Sequence, residues 1–142
     1  TATWQPYDEA PGPKRNALAM VTALADPEAT GRARIPVERI RGPVMLISAG
    51  DDGAWPSDLY SLIVQSSLAA AGHAAEIRWV NYPQAGHSIL FPFVPTTRTV
   101  HRNAMTGRET TTGGAPPANA DADEASWREV QAFLARAVAS AK

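Results

Sequence analysis

The run Val44-Met45-Leu46-Ile47-Ser48-Ala49 is apolar on successive positions rather than on alternate ones. That is the pattern of a strand covered on both faces, as in a parallel sheet. A second strand-like run, Glu76–Tyr82, is rich in Ile, Trp, Val and Tyr. Between them, Pro56-Ser57 looks like a helix start with Ser57 as its N-cap. Leu59, Leu62, Ile63 and Ser66 then fall at helical spacing, and Gly72 is a natural stop.

Outside this unit the pattern is more broken. Residues 1–13 are rich in Pro and Gly and are expected to be irregular. Residues 14–25 predict a short helix, with Leu18, Val21 and Leu24 on one stripe and Asp26-Pro27 as its end. Ile35–Ile40 reads as a connector. The stretch 92–120 is polar and rich in Thr, Gly and Pro, and is too long for a simple connection. Asp121-Ala122-Asp123-Glu124 resembles a capping box with Asp in the Ser/Thr role. The final helix it would open carries Trp127, Val130, Leu134 and Ala137 on one stripe, with Phe133 beside it. No internal repeat is present.

The order strand, helix, strand, loop, helix is one right-handed parallel unit. Two strands make a poor sheet alone. Their two-sided apolar character implies neighbours from a missing N-terminal half, another polypeptide or self-association. The expectation is one domain, 1–142, with 1–34 as an irregular and helical lead-in or lid.

At 142 residues the chain can bury a sizeable core, and 44% hydrophobic against 19% charged residues is ordinary for a globular protein. A net charge of −1 gives no electrostatic case for nucleic acid. No apolar stretch approaches the roughly 18 residues of a membrane span. The first residues lack a basic region followed by an apolar core, so no signal peptide is expected, and the expected location is cytoplasmic. Thr1 in place of Met is expected of a processed or excised chain. The absence of cysteine removes disulfides, thiolate metal sites and a Cys nucleophile from these residues. No cofactor or metal is expected. The abundance of Ala, Arg and Pro suggests a bacterial source.

The chemistry concentrates in two loops. Asp52 follows the first strand in Gly50-Asp51-Asp52-Gly53, and His87 follows the second in Tyr82-Pro83-Gln84-Ala85-Gly86-His87. A parallel sheet brings both loops to the carboxyl edge of adjacent strands, where open α/β sheets place their sites. Imidazole titrates near neutrality and suits a general base. A carboxylate can fix its tautomer and stabilise the imidazolium. Strand, acid, helix, strand, Gly-His, helix is how the last third of an α/β-hydrolase carries the acid and base of a triad. The usual nucleophile turn, Gly-x-Ser-x-Gly, does not occur. Asp51 is the competing acid, with Asp52 preferred and Asp51 read as a loop hydrogen-bonder. His73, just after Gly72, reads as solvated. Trp55 either shapes an acyl pocket or plugs the core, while Trp79 and Trp127 read as core. Arg98, Arg102 and Arg108 cluster with His101 in the long loop. Arg98 and Arg102 are candidates to meet an anionic substrate such as a coenzyme A phosphate.

Several segments carry a resemblance. They are Ile35–Val44, then Asp51-Asp52-Gly53-Ala54-Trp55-Pro56-Ser57, then Tyr82-Pro83-x-x-Gly86-His87, and Gly113-Gly114-x-Pro116-x-Ala118-Asn119-Ala120 followed by Ser126-Trp127. In colinear order over about residues 35–135 they resemble the C-terminal catalytic domain of the acyl-CoA thioesterase / bile acid-CoA:amino acid N-acyltransferase family. The resemblance implies an α/β-hydrolase domain, preceded in full-length relatives by a β-sandwich. It implies cleavage of an acyl-CoA thioester through a covalent acyl-enzyme, with release to water or to an amino acid such as glycine or taurine. It carries Asp52 over as the triad acid and His87 as the general base. The family's Ser or Cys nucleophile is not carried over, because its elbow lies upstream of these residues.

The expected fold is therefore the C-terminal part of an α/β-hydrolase with an incomplete sheet. The expected parent activity is acyl-CoA thioester hydrolysis, and the isolated chain is expected to be inactive. Three alternatives remain open: the N-acyltransferase, an esterase of the dienelactone hydrolase type, and a non-catalytic proteolytic fragment.

Overall fold

The computed structural model describes residues 11–140. Of the irregular lead-in expected over 1–13, residues 1–10 lie outside the described residues, and Pro11–Pro13 form bends. The elements that follow are α1 (Asn16–Ala23), α2 (Pro27–Ala33), a 3-10 turn (Val37–Arg39), β1 (Val44–Ala49), α3 (Ser57–Ala70), β2 (Ile77–Tyr82), β3 (Val100–Arg102), β4 (Glu109–Thr111) and α4 (Pro116–Ser140).

β1 and β2 pair in parallel, Val44 opposite Ile77 through Ala49 opposite Tyr82, with α3 as the crossover. β1 has the bounds its unbroken apolar run predicts, and β2 begins one residue later than expected. Gly72 closes α3 as foreseen: its N–H donates to the Ala69 carbonyl and the His73 N–H to that of Leu68, the paired bonds of a Schellman ending. This is a mixed α/β fold with a two-stranded parallel sheet. Its side chains from Val44 to Ile47 are only half-buried.

Several elements depart from the expectation. Asp26-Pro27 ends α1 but also starts α2. The Asp26 carboxylate accepts from the N–H groups of Glu28 and Ala29, and Pro27 takes a position where no N–H is needed. Ser57 does not cap α3. Its hydroxyl instead bonds the main chain of Ala49, tying the helix start to the end of β1. The expected stripe of α3 is not its buried face, since Leu62 and Ile63 are exposed while Ser61 and Leu68 are buried. Residues 92–120 are not one loop. They hold the antiparallel hairpin β3–β4 and the first turn of α4. The hairpin turn is closed by Asn103, whose side chain accepts from Met105 and Thr106 N–H.

α4 begins five residues before the expected capping box, at Pro116-Pro117. Prolines lose nothing in a first turn, where N–H groups lack helical partners anyway. Asp121–Glu124 therefore lies inside the helix, and Asn119, Ala122, Asp123 and Ser126 are buried on one face. Further along, Phe133 is buried but Leu134 and Val138 are exposed. No helix of the described residues is long and apolar enough to cross a membrane.

Candidate active site

The parallel register puts the loops after β1 and β2 side by side. Gly50 N–H donates to the Tyr82 carbonyl and Asp51 N–H to that of Ala85. Asp52 and His87, 35 positions apart in sequence, meet there. His87 Nδ1 lies 3.1 Å from Asp52 Oδ2. The other carboxylate oxygen, Oδ1, accepts from the backbone N–H of Ala54 and of Trp55, both at 2.9 Å. The Asp52 side chain is 4% exposed and the His87 side chain 42%. A fully bonded buried carboxylate thus holds one nitrogen of a half-open imidazole. With Nδ1 donating to Asp52, Nε2 is the nitrogen left for proton transfer.

Asp51 has a different task. Its Oδ2 accepts from Gly114 N–H at 2.9 Å, and its Oδ1 pairs with Arg15 at 2.8 Å. Arg15 also donates to the Asp51 carbonyl, and Ala17 N–H to that of Gly53. Arg15 and the first turn of α1 therefore brace the acid loop.

The third wall is the segment between β4 and α4. The Thr112 carbonyl accepts from both Gly53 N–H (2.9 Å) and His87 N–H (2.8 Å), so one residue joins the acid loop to the histidine loop. This needs backbones closer than side chains allow. A Cβ on Gly86 would stand 2.1 Å from the Gly113 carbonyl oxygen. Gly113 has φ +74°, and its Cβ would stand 1.9 Å from the Asp51 carbonyl oxygen. The Gly113-Gly114 pair is thus a structural joint of the site.

A cavity of about 330 Å³ adjoins His87. Its lining includes Trp55, Ile89, Phe91, Trp127 and Val130 together with Asp52 and His87. Trp55 is 51% exposed and does not plug the core. Its ring lies 5.9 Å from that of His87, tilted by 32°. Trp127 is not core either. It is partly exposed and meets Phe91 edge-to-face at 5.4 Å. Trp79 is half-buried and donates its indole N–H to Ser48.

Arg98 and Arg102 are not brought to this cavity. Thr99 touches the site through Thr112, but the strand then leads away. Arg102, three residues on, lies roughly 10 Å further along it, opposite Glu109. His101 pairs across from Thr110 on the same hairpin. His73, expected to be solvated, is half-buried with Nε2 enclosed and without a hydrogen-bond partner among the described residues. Among the described residues no group of three or more His, Asp or Glu side chains is arranged to hold a metal ion.

Sequence reasoning missed the polar face of α4. Asn119 Oδ1 accepts from Gly86 N–H at 2.7 Å, and Asp123 Oδ1 from Leu90 N–H at 2.6 Å. The signal was there: Pro116-Pro117 as a helix start would have placed Asn119, Asp123 and Ser126 on one stripe. Burial pushes the Asp123 carboxyl above the usual carboxylate range, against the opposing pull of the Leu90 N–H. A carboxyl raised in the folded state holds its proton better folded than unfolded. Its destabilising effect therefore grows as pH rises from the ordinary carboxylate range through the raised value. As pH rises from about 4, the urea midpoint of the natural protein should fall relative to that of Asp123→Asn. Parallel pH profiles for the two proteins would refute this.

Comparisons with known proteins agree with one another. The family model described as "BAAT / Acyl-CoA thioester hydrolase C terminal" matches residues 8–140. The human protein "Acyl-coenzyme A thioesterase 6" is 33% identical over 101 residues, covering 70% of this chain and 23% of that protein. The mouse protein "Acyl-coenzyme A thioesterase 2, mitochondrial" is 31% identical over 127 residues, 89% of this chain and 28% of its own length. The mouse "Peroxisomal succinyl-coenzyme A thioesterase" is 28% identical over 107 residues, covering 75% and 25% respectively. The chain spans about a quarter of the length of the curated relatives it matches.

Proposed function

Because the chain belongs to the BAAT / acyl-CoA thioester hydrolase C-terminal family, we propose that it supplies the acid and base of an acyl-CoA thioester hydrolase of α/β-hydrolase type. The observation that carries this reading is the contact of His87 Nδ1 with the buried, doubly amide-bonded Asp52, both lining a largely apolar cavity. The nucleophile comes from a segment outside these 142 residues, which contain neither cysteine nor a Gly-x-Ser-x-Gly turn.

The proton accounting runs through one nitrogen. His87 Nε2 takes the proton of the nucleophile as it attacks the thioester carbonyl. The tetrahedral intermediate collapses, the carbon–sulfur bond breaks, and the imidazolium returns the proton to the departing thiolate. His87 then takes a proton from water, which attacks the acyl-enzyme, and passes it back to the nucleophile. Asp52 keeps the imidazole in the tautomer with Nε2 unprotonated and stabilises the imidazolium. The apolar lining suits the hydrocarbon part of an acyl group. Water is the acceptor favoured over an amino acid, since the relatives named above are all thioesterases.

The test is thiol release from a panel of acyl-CoA esters by the full-length protein, with intact-mass detection of an acyl adduct after rapid quench. Turnover with an adduct on a residue outside this segment is expected. Turnover of simple carboxylic esters with none of any acyl-CoA would reject the reading in favour of another esterase.

A further inference from the structure

We infer that Asn119 and Asp123 are positioning residues for His87: they tie the two ends of the segment Gly86–Leu90 to α4 and so set where the imidazole stands against Asp52. The inference rests on His87 acting as the general base.

The two side chains are one helical turn apart on the same face of α4, and each is 1% exposed. They accept from amides on either side of His87: Gly86 N–H at 2.7 Å just before it, Leu90 N–H at 2.6 Å three residues after. The His87 N–H itself is held by the Thr112 carbonyl. Three main-chain bonds within five residues therefore pin a loop whose imidazole is held by one side-chain bond.

Stability alone does not account for these residue types. Asn119 Nδ2 and Asp123 Oδ2 are buried without a hydrogen-bond partner among the described residues. Enclosing unpaired polar atoms costs free energy, and an apolar residue would avoid it. Burial also works against the charged form of the Asp123 carboxyl. Each side chain does satisfy an enclosed amide, that of Gly86 in a buried bond and that of Leu90 in a part-buried one. Asn119 and Asp123 thus each leave one polar atom unpaired in the core while fixing the geometry of a loop that carries the base. Buried polar groups retained in that way are expected where a site must be held to a fraction of an ångström.

The test uses the full-length enzyme carrying Asp123→Leu, Asp123→Asn or Asn119→Ala, beside His87→Ala as control. In Asp123→Leu the thermal midpoint is expected to shift by only a few degrees, because relief of the buried carboxyl offsets the lost amide bond. Its kcat should fall by roughly tenfold or more, with KM changed less than about twofold. Asp123→Asn, whose Oδ1 still accepts, should restore kcat to within about threefold of the natural enzyme. The 15N signals of the His87 imidazole, identified by their loss in His87→Ala, should show the Nδ1–H tautomer in the natural enzyme. They should show a mixed population in Asp123→Leu and Asn119→Ala. Unchanged His87 signals in both variants overturn the inference, whether kcat is retained or falls in step with stability. If Asp123→Leu does not fold, Asn119→Ala decides by the same measurements. Full turnover in the His87→Ala control would instead reject the general-base reading, and the imidazole signals would still report on the ties.

Discussion

Replacing His87 with alanine in the full-length enzyme lowers kcat by about 10⁴-fold or more while the fold stands. Among the described residues, His87 is the one imidazole in contact with Asp52, and no second base stands beside it to take the proton. The structural cost is small for a definite reason. The His87 side chain is 42% exposed, and its main-chain N–H bond to Thr112 does not depend on the ring. Asp52 keeps two amide donors on Oδ1 but its buried Oδ2 loses the His87 partner. The expected loss of stability is about 1–2 kcal/mol. Steady-state kinetics with circular dichroism and a urea titration check both halves. Turnover within tenfold of the natural enzyme would remove His87 from the mechanism.

Gly113→Ala is expected to cost more than about 3 kcal/mol. Two effects add. The backbone sits at φ +74°, which a residue with a Cβ adopts at a cost of roughly 1 kcal/mol. The new carbon would also stand 1.9 Å from the Asp51 carbonyl oxygen and 2.8 Å from Gly53 N. Neither neighbour is a side-chain tip that can swing away. The loop after β1 must retreat, and Asp52, which bridges to Gly113 in a short antiparallel contact, retreats with it. Activity should fall together with the unfolding midpoint. A variant that unfolds within about 1 kcal/mol of the natural protein would show that the joint is more yielding than these distances imply.

The central unit was legible because its signals are local. An unbroken apolar run gives β1 its bounds, helical spacing and Gly72 bound α3, and the parallel register then follows from the crossover. Asp52 and His87 were legible as a pair because each directly follows a strand of that unit. The hairpin β3–β4 was missed because its strands are three residues long, β3 is exposed throughout and no residue of either is fully buried. They leave no hydrophobic period to detect. The start of α4 was misplaced because Asp121–Glu124 imitates a helix cap, while tertiary contacts favour starting at Pro116.

By itself, then, the order of residues determined the strand–helix–strand unit and the two loops from which an acid and a base emerge. Local backbone preference and periodic burial act within a few residues of each position. The sequence favoured Asp52 over Asp51, and the tertiary structure supplied their partners: Asp52 meets His87, and Asp51 turns to Arg15 and Gly114. Tertiary structure decided more than this. It alone decided that Arg98 and Arg102 stand away from the cavity, and that Thr112, Gly113, Asn119 and Asp123 stand around the histidine loop. Those contacts join residues 25 to 63 positions apart in the chain. They depend on whether a carbonyl, an amide and the space of a missing methyl coincide, which no local pattern encodes.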